Sequence, residues 1–430
     1  MRLLLVSIYD TARTGGLSTH VAELAEGLRR AGHEAAVATP YTVVPASWRR
    51  LVQDLPRLPM RVLDRDAAYL HFLSVGRRFL ARGVARAVSE HAVDIVHAHD
   101  PVALIAARDA LFGAVGAPVL ARRPGLVLTV HGDIANLAES DGAIEPAGRG
   151  RRTAEALETE AYRAADVLIT VDERLRCHCL ALGGERAIEV FANFVDVDRF
   201  RPARVEEGEA SSALRRKLRL SDTARVVLCP RRLVPKTGVI YAIRAMAEPA
   251  LLRAAEGPAA ADAVLLVAGE GAQRPALEEE ARRLRLGVDA GGAARVRFLG
   301  DVPRAELPLL YRLADVVLVP SVPDAGVIEA TSLTALEAMA SGKVVVASAI
   351  GGLAELITTD RTGMLVPPGD AAALARAVAR ALADAPFAAA IGAAARTHVE
   401  SERSTRACVE RILTLYERAS SAARGGSRPR

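Results

Sequence analysis

Short apolar runs recur along the chain, separated by stretches in which apolar side chains return at helical spacing. Arg2 to Ser7, Glu34 to Thr39, Asp94 to Ala98, Leu126 to Val130, Asp166 to Val171 and Ala187 to Phe191 form one series. Arg225 to Leu228, Ala263 to Val267, Val296 to Leu299, Val316 to Val319, Val344 to Ala347 and Thr362 to Val366 form a second. Runs that lack polar alternation and are joined by helical connections predict parallel strands buried on both faces. The pattern therefore predicts an α/β protein of two Rossmann-like doubly wound domains facing a central cleft. The expected organisation is an N-terminal domain over residues 1–195 and a linker over 196–220, rich in Pro, Gly and charge. A C-terminal domain over 221–395 follows, and a helical segment over 396–430 returns towards the first domain and ends in a frayed tail.

One stretch breaks the rhythm. Residues 41–90 carry nine arginines against four acidic residues, with Trp48, Met60, Phe72 and Phe79 interleaved. Two readings stay open for this basic insertion: an amphipathic surface for anionic lipid or an acidic acceptor, or a solvated helical segment whose Arg stems cover apolar surface.

Composition narrows the function classes. The net charge of +5 and an aromatic content of 4% argue against a nucleic-acid surface. No apolar run reaches the roughly 18 residues a membrane span needs, and the first strand starts at Arg2 with no leader pattern ahead of it. A cytoplasmic location is expected, with peripheral contact at the inner face of the membrane if 41–90 touches lipid. Cys177, Cys179, Cys229 and Cys408 fit neither a disulfide framework nor a zinc spacing and are expected to be reduced thiols. Neither Cys177-His178-Cys179 nor Asp64-Arg65-Asp66 sits in a context that makes a metal site, so no metal is expected.

Candidate chemistry gathers at the ends of strands. Gly15-Gly16 lies between the first run and a helix, where backbone N–H groups and a helix N-terminus can receive an anion. Arg232 and Lys236 share the loop after Leu228. With only three lysines among 56 cationic residues, a lysine there suggests that a compact ammonium is wanted, as for a diphosphate. His131 follows the strand ending at Val130. Glu329 lies in a Gly- and Pro-containing loop after Val319, where a carboxylate has no helix-capping task. Glu337, three residues after Thr334, reads equally as the second half of a capping box or as an acceptor for both hydroxyls of a ribose.

Taken together, Gly15-Gly16, VHAHD at Val96 to Asp100, TVHGD at Thr129 to Asp133, RRLVPKTG at Arg231 to Gly238, AGEG at Ala268 to Gly271, FLGDV at Phe298 to Val302 and the Glu329-x7-Glu337 spacing resemble a known family. It is the retaining, nucleotide-sugar-dependent glycosyltransferases of the GT-B fold, family 4-like, the group that includes sucrose synthase, glycogen synthase and bacterial mannosyltransferases. The resemblance implies that Glu329 faces the donor sugar, Glu337 binds the ribose, and Arg232 and Lys236 neutralise the diphosphate. It further implies that His131 contacts the transferring sugar, Gly15 and Gly16 lie beside acceptor and phosphate, and Gly269, Gly271, Gly300, Ser332 and Leu333 line the donor site. The common family loop has Lys directly before Gly; here Thr237 holds that place and Lys236 sits one earlier. Thr331-Ser332 replaces the usual Phe-Gly after the first Glu.

The expected activity is transfer of a sugar from a UDP- or GDP-sugar to a hydroxyl of a sugar, glycolipid or small-molecule acceptor, with retention. Neither a metal nor a further cofactor is expected. A nucleotide-sugar epimerase of the same architecture and a non-catalytic nucleotide-sugar-binding protein are the competing readings.

Overall fold

The computed structural model describes residues 1–12, 15–113, 122–183, 187–204, 207–252, 263–287, 294–324 and 326–425. The expected tail falls largely outside them. Two compact units emerge: one comprises Met1–Asn193, Ala325–Val327 and Thr405–Arg430, the other Phe194–Asp324 and Ile328–Ser404.

The first unit is built on a parallel sheet of β1 (Arg2–Val6), β2 (Glu34–Ala38), β3 (Ile95–Ala98), β4 (Gly125–Val130), β5 (Val167–Thr170) and β6 (Ile188–Val190). Its order is β2-β1-β3-β4-β5-β6. The chain leaves β1 towards one edge and returns to pair β3 on its other side, so the strand order switches between β1 and β3. Ligands of such sheets bind outside the carboxyl ends at that point. Asp100 bridges the two strand ends there, accepting from Ser7 Oγ at 2.9 Å and from the Ile8 N–H at 2.8 Å.

The second unit repeats the plan with β7 (Arg225–Pro230), β8 (Ala263–Ala268), β9 (Val296–Gly300), β10 (Val316–Val319), β11 (Val344–Ser348) and β12 (Met364–Val366). Its order, β12-β11-β10-β7-β8-β9, puts the switch between β7 and β10. Val227, Leu265, Val316, Leu318 and Val346 are almost wholly buried on one side of this sheet, and Val226, Leu228, Leu266, Val317 and Val345 on the other. That two-sided burial is why the strands read as unbroken apolar runs.

Three organisational expectations change. The stretch 196–220 is not a linker: Val195 and Phe200 are buried in the core of the second unit, and the Val195 N–H donates to the Arg403 carbonyl at 2.9 Å. Part of its charge lies on the helix Gly208–Lys217 and part in the Arg201–Glu207 pair, and the change of unit falls between Asn193 and Phe194. The return to the first unit comes at Thr405, where the helix Thr405–Gly425 begins, rather than at 396. Tyr416 on that helix meets His97 of β3 at 2.8 Å.

The basic stretch 41–90 divides in two. Its C-terminal half is the helix Arg65–Glu90, the crossover from β2 to β3, and it buries Phe72 and Phe79. Asp64 caps that helix at the Ala67 N–H, and Asp66 accepts from the N–H groups of Glu145 and Gly150, both at 2.9 Å, so the D-x-D acids hold backbone. The remaining part, Ala46 to Leu63, is a separate helical segment on the surface. Among the described residues no single helix is long and apolar enough to cross a membrane.

Candidate active site

In the second unit the switch between β7 and β10 gathers charge. β7 ends at Pro230 and delivers Arg231, 9% exposed, beneath the loop that follows β10. Arg231 donates through Nη2 to Glu329 Oε2 at 2.8 Å and through Nη1 to Glu329 Oε1 at 3.2 Å, a two-pronged pair. Ser321 Oγ at 2.8 Å and Ser332 Oγ at 3.2 Å complete the guanidinium's partners. Burial pushes the Glu329 carboxyl up, but Arg231, with help from Ser321 and Lys236, more than reverses this and holds it below its ordinary range. Glu329 is therefore a fixed anion at neutral pH.

Arg232, the arginine singled out from the sequence, is exposed, and its carbonyl accepts from Thr237 Oγ1 at 2.7 Å. Thr237, in the place where the family has lysine, is buried and spends its hydroxyl on the carbonyls of Arg232 and Val234. Lys236 is half-buried beside it and carries the ammonium instead. Gly238 ends the turn at φ +64°, and a Cβ there would lie 1.9 Å from the Pro320 carbonyl oxygen, so only glycine lets the loop reach the end of β10.

The helix Leu333–Ala340 starts beside this pair with Ser332 at its N-cap, and no side chain caps it. Its first N–H groups lack intrahelical partners, leaving donors and a positive dipole end for an anion at Ser332 and Leu333. Of the two readings of Glu337, the capping box does not form. Thr334 lies inside the helix and donates to the Pro230 carbonyl at 3.2 Å, which places Glu337 too far along to reach the N-cap N–H. Glu337 is 4% exposed, accepts from Arg304 Nη1 at 2.9 Å and from the Tyr311 hydroxyl at 2.8 Å, and is raised by burial, which these two partners only partly offset.

The glycine loops serve this arrangement. A Cβ at Gly269 would sit 2.2 Å from the Arg231 carbonyl oxygen, and one at Gly271 2.3 Å from that of Leu233, so both glycines admit the Arg231 loop. Gly300, at φ +72°, accepts through its carbonyl from the Gly269 N–H at 2.7 Å. Gly351 and Gly352 do the same for the acidic loop, the Gly352 N–H donating to the Glu329 carbonyl at 3.1 Å. Lys343, another of the rare lysines, is structural: its Nζ donates to the Arg312 carbonyl at 2.9 Å.

In the first unit the carboxyl ends of β3 and β4 carry a group of imidazoles. His99 Nδ1 and His131 Nε2 lie 3.2 Å apart, their rings stacked at 5.5 Å. His20, on the helix Gly16–Arg30, stands edge-on to His131 at 4.5 Å and is oriented by Asn193 Oδ1 at 3.0 Å. A Cβ on Gly15 or Gly16 would meet nothing within 4 Å, so packing does not demand these glycines and space remains beside them. Among the described residues, two clusters bring possible ligand atoms within 4.8 Å of one another: His20, His99 and His131, and Asp133, Glu158 and His178. In the second, each His178 ring nitrogen faces one carboxylate, Asp133 at 3.5 Å and Glu158 at 3.6 Å, the pattern of an imidazolium between two anions. Its pKa is accordingly raised, chiefly by Glu158.

Burial lowers His20 to about 4 and His97 to about 3, and holds His99 and His131 well below their ordinary value. The unfolded chain binds these protons near pH 6.5, so the stability is present above that pH and is lost as pH falls towards the folded values. For His20 alone the loss at pH 5 is about 2 kcal/mol. Asp100, raised by burial to about 6, works in the opposite sense and softens the fall. The urea midpoint is expected to be lower at pH 5 than at pH 7.5; equal midpoints would contradict a neutral cluster.

The structure sets Arg231 against Glu329, Arg304 and Tyr311 against Glu337, and His20 and His99 against His131; the sequence singled out the second member of each group and none of the first. The adjacent Arg231 and Arg232 were indistinguishable by type. Arg304, just past FLGDV, and the two histidines inside STH and HAHD carried a signal only through their neighbours.

A model of the group 1 glycosyl transferases matches residues 211–398, and a glycosyltransferase family 4 model matches 14–199. The D-inositol 3-phosphate glycosyltransferase of Salinispora tropica is 36% identical over 229 residues, 53% of this chain and 45% of that protein, so this match spans less than half of the relative's length. The GDP-mannose-dependent alpha-(1-6)-phosphatidylinositol monomannoside mannosyltransferase of Mycobacterium tuberculosis is 32% identical over 324 residues, 74% of each chain. Among solved structures, a sucrose-phosphate synthase from Thermosynechococcus elongatus superposes with a TM-score of 0.70 at 21% identity, over 98% of this chain and all of that one, which shows the shared GT-B fold. With both halves matched and a relative aligned over most of its length, the chain belongs to the group 1, family 4 glycosyltransferases.

Proposed function

We propose that the protein moves a hexose from a GDP- or UDP-sugar to an acceptor hydroxyl with retention of anomeric configuration and without a metal. The observation that carries this reading is the Arg231–Glu329 pair, set beside an uncapped helix N-terminus and Lys236. Breaking the anomeric bond puts negative charge on the departing diphosphate and positive charge on the sugar ring. Fixed donors at Ser332 and Leu333 with the cations Arg232 and Lys236 oppose the first, and the Glu329 carboxylate the second. Glu337 holds the ribose. His131, kept neutral, accepts or donates one hydrogen bond to a hydroxyl of the transferring sugar. The acceptor attacks from the face the diphosphate leaves, and a phosphate oxygen takes its proton.

The names of the relatives make GDP-mannose the first donor to try and inositol-bearing acceptors the first acceptors. The test is a thermal-shift panel of nucleotide sugars, then transfer in the presence of EDTA with product configuration read by NMR. An α-linked product from an α-linked donor supports the reading. Inversion, or dependence on added metal, would refute it. Interconversion of the nucleotide sugar without an acceptor would favour an epimerase, and tight donor binding with no turnover over a broad acceptor panel a non-catalytic role.

A further inference from the structure

The segment Ala46 to Leu63 exposes apolar side chains in an order that packing does not explain. Trp48, Leu51, Leu55, Leu58 and Val62 recur at intervals of three and four residues, the spacing of one helical face, and all are between 46% (Leu55) and 86% (Val62) exposed. Among the described residues they make up most of the exposed large hydrophobic side chains. The opposite face is moored. Gln53 is fully buried and donates to the Phe72 carbonyl at 3.3 Å, and the Arg57 guanidinium lies 4.5 Å over the Phe72 ring.

The backbone is adapted to hold this face outward. Pro56 and Pro59 have no N–H for the carbonyls of Val52 and Leu55, and the helix widens to a π-turn over Arg50–Asp54. The carbonyl of Val52 is satisfied instead by His71 Nε2 at 2.9 Å. The segment is therefore a formed helical rod about 27 Å long at 1.5 Å per residue, its apolar stripe already turned to solvent.

Charge says what covers the stripe. Arg50 and Arg61 flank it, both exposed and with no carboxylate partner among the described residues, while the nearby Asp54 is neutralised by Arg49 at 2.7 Å and Asp64 by Arg149. A narrow aliphatic stripe with an indole near one end and unpaired guanidiniums at its margins fits the boundary of an anionic bilayer: aliphatic groups enter the acyl region, and arginines meet headgroup phosphates. We propose that the 46–63 segment is an interfacial helix that seats the enzyme on anionic membrane surface. Seating requires neither donor nor acceptor, so it stands or falls separately from the transfer reaction.

Trp48 is the only tryptophan in the chain, so its emission reports this surface directly. The full-length protein is mixed with phosphatidylcholine vesicles, with and without about a third phosphatidylglycerol, and followed by flotation and fluorescence. Expected are co-flotation with the anionic vesicles, a blue shift of Trp48 and its protection from acrylamide. L55Q/L58Q/V62Q should bind at least tenfold more weakly, and R50E/R61E should lose the preference for anionic lipid and most of the salt dependence. Unchanged donor thermal shifts in both variants will show that the fold survives. Unshifted Trp48 emission with no co-flotation would overturn the proposal, as would binding equal to wild type in the variants. A wild-type dimer abolished by L55Q/L58Q/V62Q, without lipid binding, would assign the stripe to a second copy instead.

Discussion

Glu329→Gln is expected to cut kcat by roughly 10²- to 10³-fold, the loss typical of removing one fixed electrostatic group from a transition state. The substitution keeps the size of the side chain and deletes its charge. Arg231 retains Ser321 Oγ at 2.8 Å and Ser332 Oγ at 3.2 Å, so the guanidinium is not stranded and the fold should persist. Arg231→Met is different: it leaves the Glu329 carboxylate, only 16% exposed, with Ser321 at 3.2 Å and no guanidinium. Breaking a buried pair from one side costs about 3–5 kcal/mol, and a large fall in Tm is expected. The double variant R231M/E329Q contains no stranded charge and should recover most of that stability. It should not recover the rate if, as proposed, the Glu329 carboxylate faces the sugar, because that charge is still missing. Steady-state transfer and urea unfolding on the three variants separate the roles: a pair that served stability alone would give a double variant with restored turnover, and E329Q within threefold of wild type would remove Glu329 from the mechanism.

Arg231 also shows what the sequence could and could not reveal. Both sheets were legible because their strands are buried on two faces and read as apolar runs, and Glu329 stood out as a candidate because no capping role explained it. The choice between Arg231 and Arg232 was not. In a strand such as β7, where Val226 to Cys229 are all buried, alternation carries no information about which of two following residues turns inward. The answer depends on contacts with Ser321 and Glu329, about 90 residues or more away in sequence. The His99–His131 contact spans 32 residues and is created by the pairing of β3 with β4. The mistaken linker has the same origin. Val195 and Phe200 look unremarkable among charged neighbours, and the core they enter is assembled from distant residues such as Tyr311, Met339 and Val399.

Glu337 illustrates a competition between local and long-range partners, and its outcome is testable. The spacing Thr334 to Glu337 invites a capping box, but the helix begins at Leu333, and Glu337 turns to Arg304 and Tyr311. Each carboxylate oxygen has a second acceptor site left over, and two oxygens so oriented can take both ribose hydroxyls. Glu337→Gln should therefore raise the donor KM by roughly 10- to 100-fold, since a hydrogen bond to a charged group contributes about 1.5–3 kcal/mol, and should change kcat little. Tyr311→Phe removes one orienting bond while leaving the carboxylate and Arg304 in place, so its KM should rise less, by several-fold. The control is a donor whose ribose lacks one hydroxyl. If Glu337 reads the ribose, the 2′-deoxy donor should bind wild type more weakly than the natural donor but discriminate little in E337Q. A variant that lost kcat instead, with KM unchanged for both donors, would move Glu337 from recognition to the chemical step.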